Sequence, residues 1–232
     1  MLLLALDTAT PAVTVALYDG TRVRAAVHQV DARRHGELLL PSVDRVLREG
    51  GAGLGDVTGI VVGTGPGPYT GLRVGLATAE ALGAARAIPV HGVCTLDGIA
   101  LAAGLDEPFA VATDARRKEV YWVRYADART RTGEPAVNRP AEIAGQVAGL
   151  PAAGSGARLY PEVFTGVRDD LPEHASASAL AVLAAERLAA GERLPAPRPQ
   201  YLRRPDARVP AGYKVVTPAS PPDARQGAGP RT

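Results

Sequence analysis

The chain is poor in cysteine, lysine and aromatic residues, and it has no long apolar run. One cysteine, Cys94, stands among 232 residues, so no internal disulfide can form, and a lone thiol fits a reducing compartment. Lysine occurs only as Lys118 and Lys214. The remaining basic residues are arginines, and with abundant Ala, Gly and Pro this points to a codon bias, so composition says little about function. No stretch approaches the roughly 20 apolar residues that cross a bilayer. The start, "MLLLALDTAT", has no positive region, and its apolar run is too short for a secretory signal. The expectation is a cytoplasmic protein with no membrane partner. A strong charge of one sign is missing too. The formal net charge of +2 does not by itself imply a polyanion partner. From Arg193 onward, however, eight Arg/Lys face two Asp, a net +6 that leaves −4 on the rest of the chain. Such a basic end can touch nucleic acid, although the simpler reading is a solvated tail.

What is present is enough for a buried core: 46% of the residues are hydrophobic and 22% charged. Leu2 to Leu6 is an apolar run that ends at Asp7. Val13, Val15 and Leu17 alternate up to the turn Asp19-Gly20, and a third extended run covers 22–30. Asp-Gly between alternating runs predicts a hairpin, so the opening reads as a three-stranded antiparallel meander. Helical spacing follows at Leu38, Leu39, Val43, Val46 and Leu47, with Pro41 expected to kink it and Gly50-Gly51 to stop it. Strand 59–63, helix 70–86, strand 88–93 and helix 95–103 then alternate. A meander followed by this alternation is the ribonuclease-H-like order.

The second half begins in the same way. Phe109 to Thr113 is apolar and leads to Asp114, and Glu119 to Tyr125 reads as the next strand. Placing Asp114 on Asp7 aligns the hairpins without a gap, with Val120 on Val13, Trp122 on Val15 and Tyr125 on Tyr18. The reading is an α/β protein of two ribonuclease-H-like, actin-like subdomains with a duplicated β-meander, the second copy reduced. Its parts are an N-terminal subdomain at 1–94 that binds a partner, a C-terminal subdomain at 95–210 and a disordered basic tail at 211–232. Within the second part, 140–147 reads as a short helix with proline at its start. Gly154-Ser155-Gly156 reads as a tight turn, and 176–190 as a helix capped by Ser176 or Ser178. Fold alone does not give function.

The loop "GTGPGPYTGLRVG" at 63–75 lies between a strand and a helix, where phosphates often bind. Its details argue against that use. The Lys-Ser/Thr pair of a phosphate loop is replaced by Tyr69-Thr70-Gly71, and Pro66 and Pro68 lack N–H donors. The spacing is not the dinucleotide fingerprint either. The turns "LDTATPA" and "TDARRKE" both lack the glycine that an actin-like ATPase places there. His28, His35, His91 and His174 form no helical metal pair, and no nucleophile–base arrangement is suggested. The expectation is no catalytic, cofactor-binding or metal-binding residue.

Gly71, Gly75, Ala79 and Gly83 recur every fourth residue along the helix. That small-residue stripe packs either on the chain's own sheet or against a partner. Tyr69, Leu72, Arg73 and Leu76 beside it have the character of interface anchors, which favours the partner. His35, Glu37 and Leu38 at the start of the preceding helix join this candidate interface.

"LALDTAT", "HGELLLP", "GTGPGPYTGLRVG", "DARRKEVYW" and "YLR" occur here in the order seen in the TsaB (YeaZ) family, which the chain resembles across nearly its full length. Pro68 stands where that family usually has serine, and Lys118 where glycine is common. The resemblance implies a non-catalytic subunit of the machinery that forms N6-threonylcarbamoyladenosine in tRNA. It implies pairing with TsaD, joined by the ATPase TsaE, a homodimer when alone, and contact with tRNA through the complex. The alternative is an independent actin-like kinase or hydrolase that uses ATP.

Overall fold

In a computed structural model, residues 1–203 are described. The tail expected at 211–232 lies outside the described residues. β1 (Leu3–Asp7), β2 (Ala12–Tyr18) and β3 (Val23–Val30) form the antiparallel meander. At its second turn the Asp19 carboxylate accepts hydrogen bonds from the Thr21 and Arg22 amides at 3.0 and 2.9 Å, while Gly20 takes φ +96°. That combination is the chemistry of an Asp-Gly hairpin.

α1 (His35–Glu49) continues through Pro41, which lies on its exposed side, where water can serve the carbonyl that proline leaves unpaired. β4 (Gly59–Gly63) lies parallel to β1, and β5 (Val90–Val93) lies parallel to β4. α2 (Tyr69–Arg86) crosses between them, giving a first sheet of order β3-β2-β1-β4-β5.

After α3 (Thr95–Ala103) the pattern repeats in shortened form. β6 (Phe109–Asp114) and β7 (Val120–Asp127) form the second hairpin. β8 (Thr130–Arg131) and β9 (Ala136–Asn138) both pair with β7. α4 (Pro140–Val147), β10 (Pro151–Ala153), α5 (Ser155–Leu159), β11 (Gly166–Val167) and α6 (Ala177–Ala189) complete the copy. The second sheet runs β11-β10-β6-β7-β8, with β10 parallel to β6 as β4 is to β1. Gly154-Ser155-Gly156, expected as a tight turn, instead launches α5 from Gly154 at φ +97°. Ser176 caps α6 by accepting a hydrogen bond from the Ala179 amide at 3.3 Å.

The helices are shared between the sheets. α1 and α2 cover one face of the first sheet, burying Leu39, Val43, Leu72 and Leu76 against Leu4, Leu6, Val13 and Val15. α6 covers the other face of that sheet, although it comes from the second half of the chain. α3 packs on the second sheet through Leu96 and Ile99, and α3 and α6 meet between the two sheets. α4 and α5 close the far side with Ile143, Val147 and Ala157.

The repeat is real, but its register differs by one residue from the gapless alignment. Asp7 pairs with Thr14, whereas Asp114 pairs with Val120 and Thr113 with Tyr121. Leu4 and Leu6 face α1 and α2, and their counterparts facing α4 and α5 are Ala110 and Ala112. Thr113, not Asp114, therefore occupies the place of Asp7, because the second hairpin loop has one extra residue. A slip of one residue reverses the face of a strand side chain. Asp7 is accordingly buried, while Asp114 sits half-exposed beside Arg116.

Candidate functional site

In the chain's strand–loop–helix unit, the β1–β2 turn lies directly on the glycine-rich loop. A Cβ at Gly67 would stand 2.2 Å from the Ala9 carbonyl oxygen, and one at Gly71 would stand 2.6 Å from that of Thr8. Backbone touches backbone at both points. The Thr8 hydroxyl donates to the Gly71 carbonyl at 2.7 Å and accepts from the Gly75 amide at 2.9 Å, bridging one turn of α2. The chain itself fills the space directly against Gly67 and Gly71, while a depression of about 150 Å³ lined by Thr8, Thr10, His35, Thr70 and Arg116 stays open beside them.

Asp7 is enclosed in the same knot. Its carboxylate accepts a hydrogen bond from the Thr95 hydroxyl at 2.6 Å and another from the Ala9 amide at 2.8 Å. Thr95 in turn accepts from the Gly65 amide at 3.0 Å, and Gly63 passes beneath with no room for a side chain. Burial pushes the carboxyl from 3.8 up to about 6, and the hydrogen bonds from Thr95 and Ala9 offset only part of that rise.

A carboxyl raised in the folded state favours the protonated form there. The stability it contributes is complete below pH 3.8 and is lost as pH rises through about 6. Asp7→Asn keeps an acceptor for Ala9 and removes the titration. Relative to the parent, the variant should gain on the order of 3 kcal/mol between pH 4 and pH 7. Urea denaturation midpoints across that range measure the difference. A constant gap between the two proteins would show that Asp7 does not titrate there.

The residues expected at an interface divide into two sets. Leu72, Leu76 and Ala79 belong to the core beneath α2, and Gly71 and Gly75 rest on Thr8. The small-residue stripe is thus turned inward, with Gly71 and Gly75 on the chain's own β1–β2 turn and Gly83 on Val90 of β5, and these close approaches depend on the missing side chains. The exposed set is Glu37, Tyr69 and Arg73, with His35 and Leu38 half-buried. His35 Nε2 lies 2.8 Å from the Thr10 carbonyl oxygen and anchors the start of α1, while Glu37 pairs with Arg34 at 2.8 Å. The Arg73 guanidinium lies 4.0 Å from the Tyr69 ring centroid, and its Nε donates to the Tyr201 hydroxyl at 3.2 Å. Tyr69 and Tyr201 stack with centroids 5.4 Å apart.

Leu40 and Tyr201 were not anticipated. Leu40 is 56% exposed on α1. Three successive leucines at 38–40 span too wide an arc for all to face inward, but spacing alone does not say which is left out. Lys118, at a position where glycine is common in the resembling family, has φ +61° and follows Arg116 and Arg117, also in the left-handed region. Cys94 is buried, and desolvation pushes its thiol up to about 12, the reverse of an activated nucleophile. Among the described residues no group of three His, Cys, Asp or Glu is placed to hold a metal, and no helix is long and apolar enough to cross a membrane.

Comparison with known proteins places this architecture. The solved structure of YeaZ from Pseudomonas aeruginosa superposes with a TM-score of 0.75 at 34% identity, covering 87% of this chain and 99% of that one. The chain belongs to the TsaB (YeaZ) family. Residues 26–163 also match the family described as "TsaD: tRNA N6-adenosine threonylcarbamoyltransferase". An uncharacterized protein of Mycobacterium tuberculosis is 42% identical over 221 residues, covering 88% of this chain and 93% of the relative. The Escherichia coli relative, named "tRNA threonylcarbamoyladenosine biosynthesis protein TsaB", is 39% identical over 129 residues. That match covers 54% of this chain and 55% of the relative, so it reaches only about half of the named protein.

Proposed function

We propose that the chain is a non-catalytic scaffold or activator subunit in the formation of N6-threonylcarbamoyladenosine in tRNA. Its partners are a TsaD-like transferase and a TsaE-like ATPase, and it forms a homodimer when they are absent. The observation that carries this reading is the β1–β2 turn packed into the glycine-rich loop. Gly67 packed against Ala9 and Asp7 held by Thr95 engage the loop and the first-strand carboxylate within the chain, which supports a packing role for them over phosphate chemistry. The naming of the E. coli relative for threonylcarbamoyladenosine biosynthesis supports the pathway, and the match to the TsaD family supports the pairing.

The partner face in this reading lies within residues 1–94, on the outer side of α1 and α2. Leu38, Leu40, Tyr69 and Arg73 present apolar, aromatic and guanidinium groups there, the composition of an interface anchor. His35 and Glu37 fix the end of α1 beside them.

The test is reconstitution. The pure protein is incubated with ATP, threonine, bicarbonate and unmodified tRNA, and then again with the transferase, the ATPase and the enzyme that makes the threonylcarbamoyl donor. Modified adenosine is expected only in the complete mixture. Its appearance with the pure protein, or ATP turnover by that protein alone, would favour an independent actin-like enzyme instead.

A further inference from the structure

Opposite α1 and α2, on the side of the first sheet that faces α3 and α6, lies a cavity of 430 Å³. Its roof is the segment that follows α6. That segment returns across the sheet, with the Gly92 amide donating to the Pro195 carbonyl at 2.8 Å and the Gln200 amide to that of Thr64 at 2.9 Å. A second depression of 530 Å³ adjoins it and shares Asp97, Arg131 and Arg187 on its wall.

The charges on this wall do not balance. Asp97 is buried, and its Oδ1 accepts a 2.8 Å hydrogen bond from the Tyr125 hydroxyl. Arg131 and Arg187 both turn toward that one carboxylate, but they stop at 3.6 and 3.5 Å, too far for a good hydrogen bond. Arg131 Nη1 is buried and has no hydrogen-bond partner among the described residues. The remaining acid near Arg131, Glu134, is 3.7 Å away and 89% exposed. Arg198 reaches the cavity from the roof with no described ion pair, and the Gln200 Oε1 beside it is a buried acceptor without a donor. By contrast, Arg129 at the rim is fully engaged by Glu186 at 2.9 and 2.7 Å.

We infer that this cavity binds a small molecule bearing a phosphate or carboxylate group, held between Arg131, Arg187 and Arg198. Guanidinium groups that line one cavity, loosely paired through a single buried carboxylate and with Arg131 Nη1 lacking any acceptor, match the oxygens of such an anion in a forked geometry. A hydroxyl or amine on the same ligand would satisfy Gln200. The volume is that of a metabolite site, within the usual range of roughly 300–1,000 Å³. The sequence beyond Arg203 carries five Arg/Lys against two Asp and is poorly suited to serve as the anion itself. Asp97 acts here as a placeholder: it keeps the two guanidiniums together without saturating either.

Calorimetric titration of the full chain with inorganic pyrophosphate and with succinate at low salt tests the site. Saturable binding of at least one is expected, and the tighter of the two tells phosphate from carboxylate. Arg187→Gln and Arg198→Gln should each weaken it about tenfold, equivalent to about 1.4 kcal/mol. Asp97→Asn keeps an acceptor for Tyr125 but removes the competing charge, so binding should tighten about threefold or more. A purely structural ion cluster predicts no such gain. If Arg187→Gln fails to fold, the exposed Arg198 and the Asp97 variant decide. No saturable binding of either anion, or binding that Arg198→Gln and Asp97→Asn leave unchanged, would overturn the inference. The site does not depend on the pairing proposed above, since the test uses neither partner nor tRNA.

Discussion

Gly75→Arg is expected to leave the protein unfolded or insoluble. A Cβ at this position would stand 2.5 Å from the Thr8 hydroxyl oxygen and 3.5 Å from Leu6 Cδ1, before the rest of the arginine is considered. The substitution pushes Thr8 out of its bridge between the Gly71 carbonyl and the Gly75 amide, so two buried backbone groups lose a partner. Overpacking of this kind costs about 1–3 kcal/mol. A buried unpaired charge adds about 3–5 kcal/mol. Together these approach the roughly 5–15 kcal/mol that holds a domain folded. Circular dichroism should show no cooperative melt, or soluble yield should collapse. A folded Gly75→Arg monomer with a normal melt and only its association lost would return the small-residue stripe to the partner face. Gly75→Ala serves as the graded case, with a loss of about 1–3 kcal/mol from the same contact.

The direction of that stripe was beyond the reach of the sequence for a physical reason. A row of small residues at every fourth position says that something comes close to the helix, but not what does. The answer depended on the β1–β2 turn, more than 60 residues away along the chain, and on a threonine hydroxyl that bridges α2. The meanders and the strand–helix alternation were readable because the alternating and helical periods run long enough there to be counted. β8 to β11, at two or three residues each, are too short to show any period. The internal repeat was visible, yet its register was displaced by the extra residue in the second hairpin loop. The paired acids of "LDT" and "TDA" made the gapless match attractive. Only the pairing of Thr113 with Tyr121 shows which residue takes the place of Asp7. The arginine cavity had no signature at all, since its walls come from positions 97, 131, 187 and 198, which no local pattern connects.

Leu40→Glu should abolish most pairing while leaving the monomer intact. Leu40 is 56% exposed on α1 and lies outside the buried cluster beneath that helix, so a surface substitution of this kind moves stability by only about 0.5 kcal/mol. At an interface the same change removes the burial of a leucine, about 1.5–3 kcal/mol, and sets a carboxylate among apolar contacts. The association constant should then fall about tenfold to a hundredfold, at 1.4 kcal/mol per tenfold. Arg73→Ala, which removes the guanidinium lying over Tyr69, tests the neighbouring helix with a smaller loss of about tenfold or less. The control is Leu159→Glu, a change of the same kind at a leucine 55% exposed on α5, in the second half of the chain. Sedimentation velocity for the homodimer and a pull-down of the TsaD-like partner read both variants against the parent. If Leu159→Glu breaks pairing and Leu40→Glu does not, the partner face lies on the second sheet's side and the α1–α2 assignment fails. If Leu40→Glu weakens the homodimer and the heterologous pair to the same degree, the two assemblies compete for one surface, and the free protein must give up its own copy before it can join the transferase.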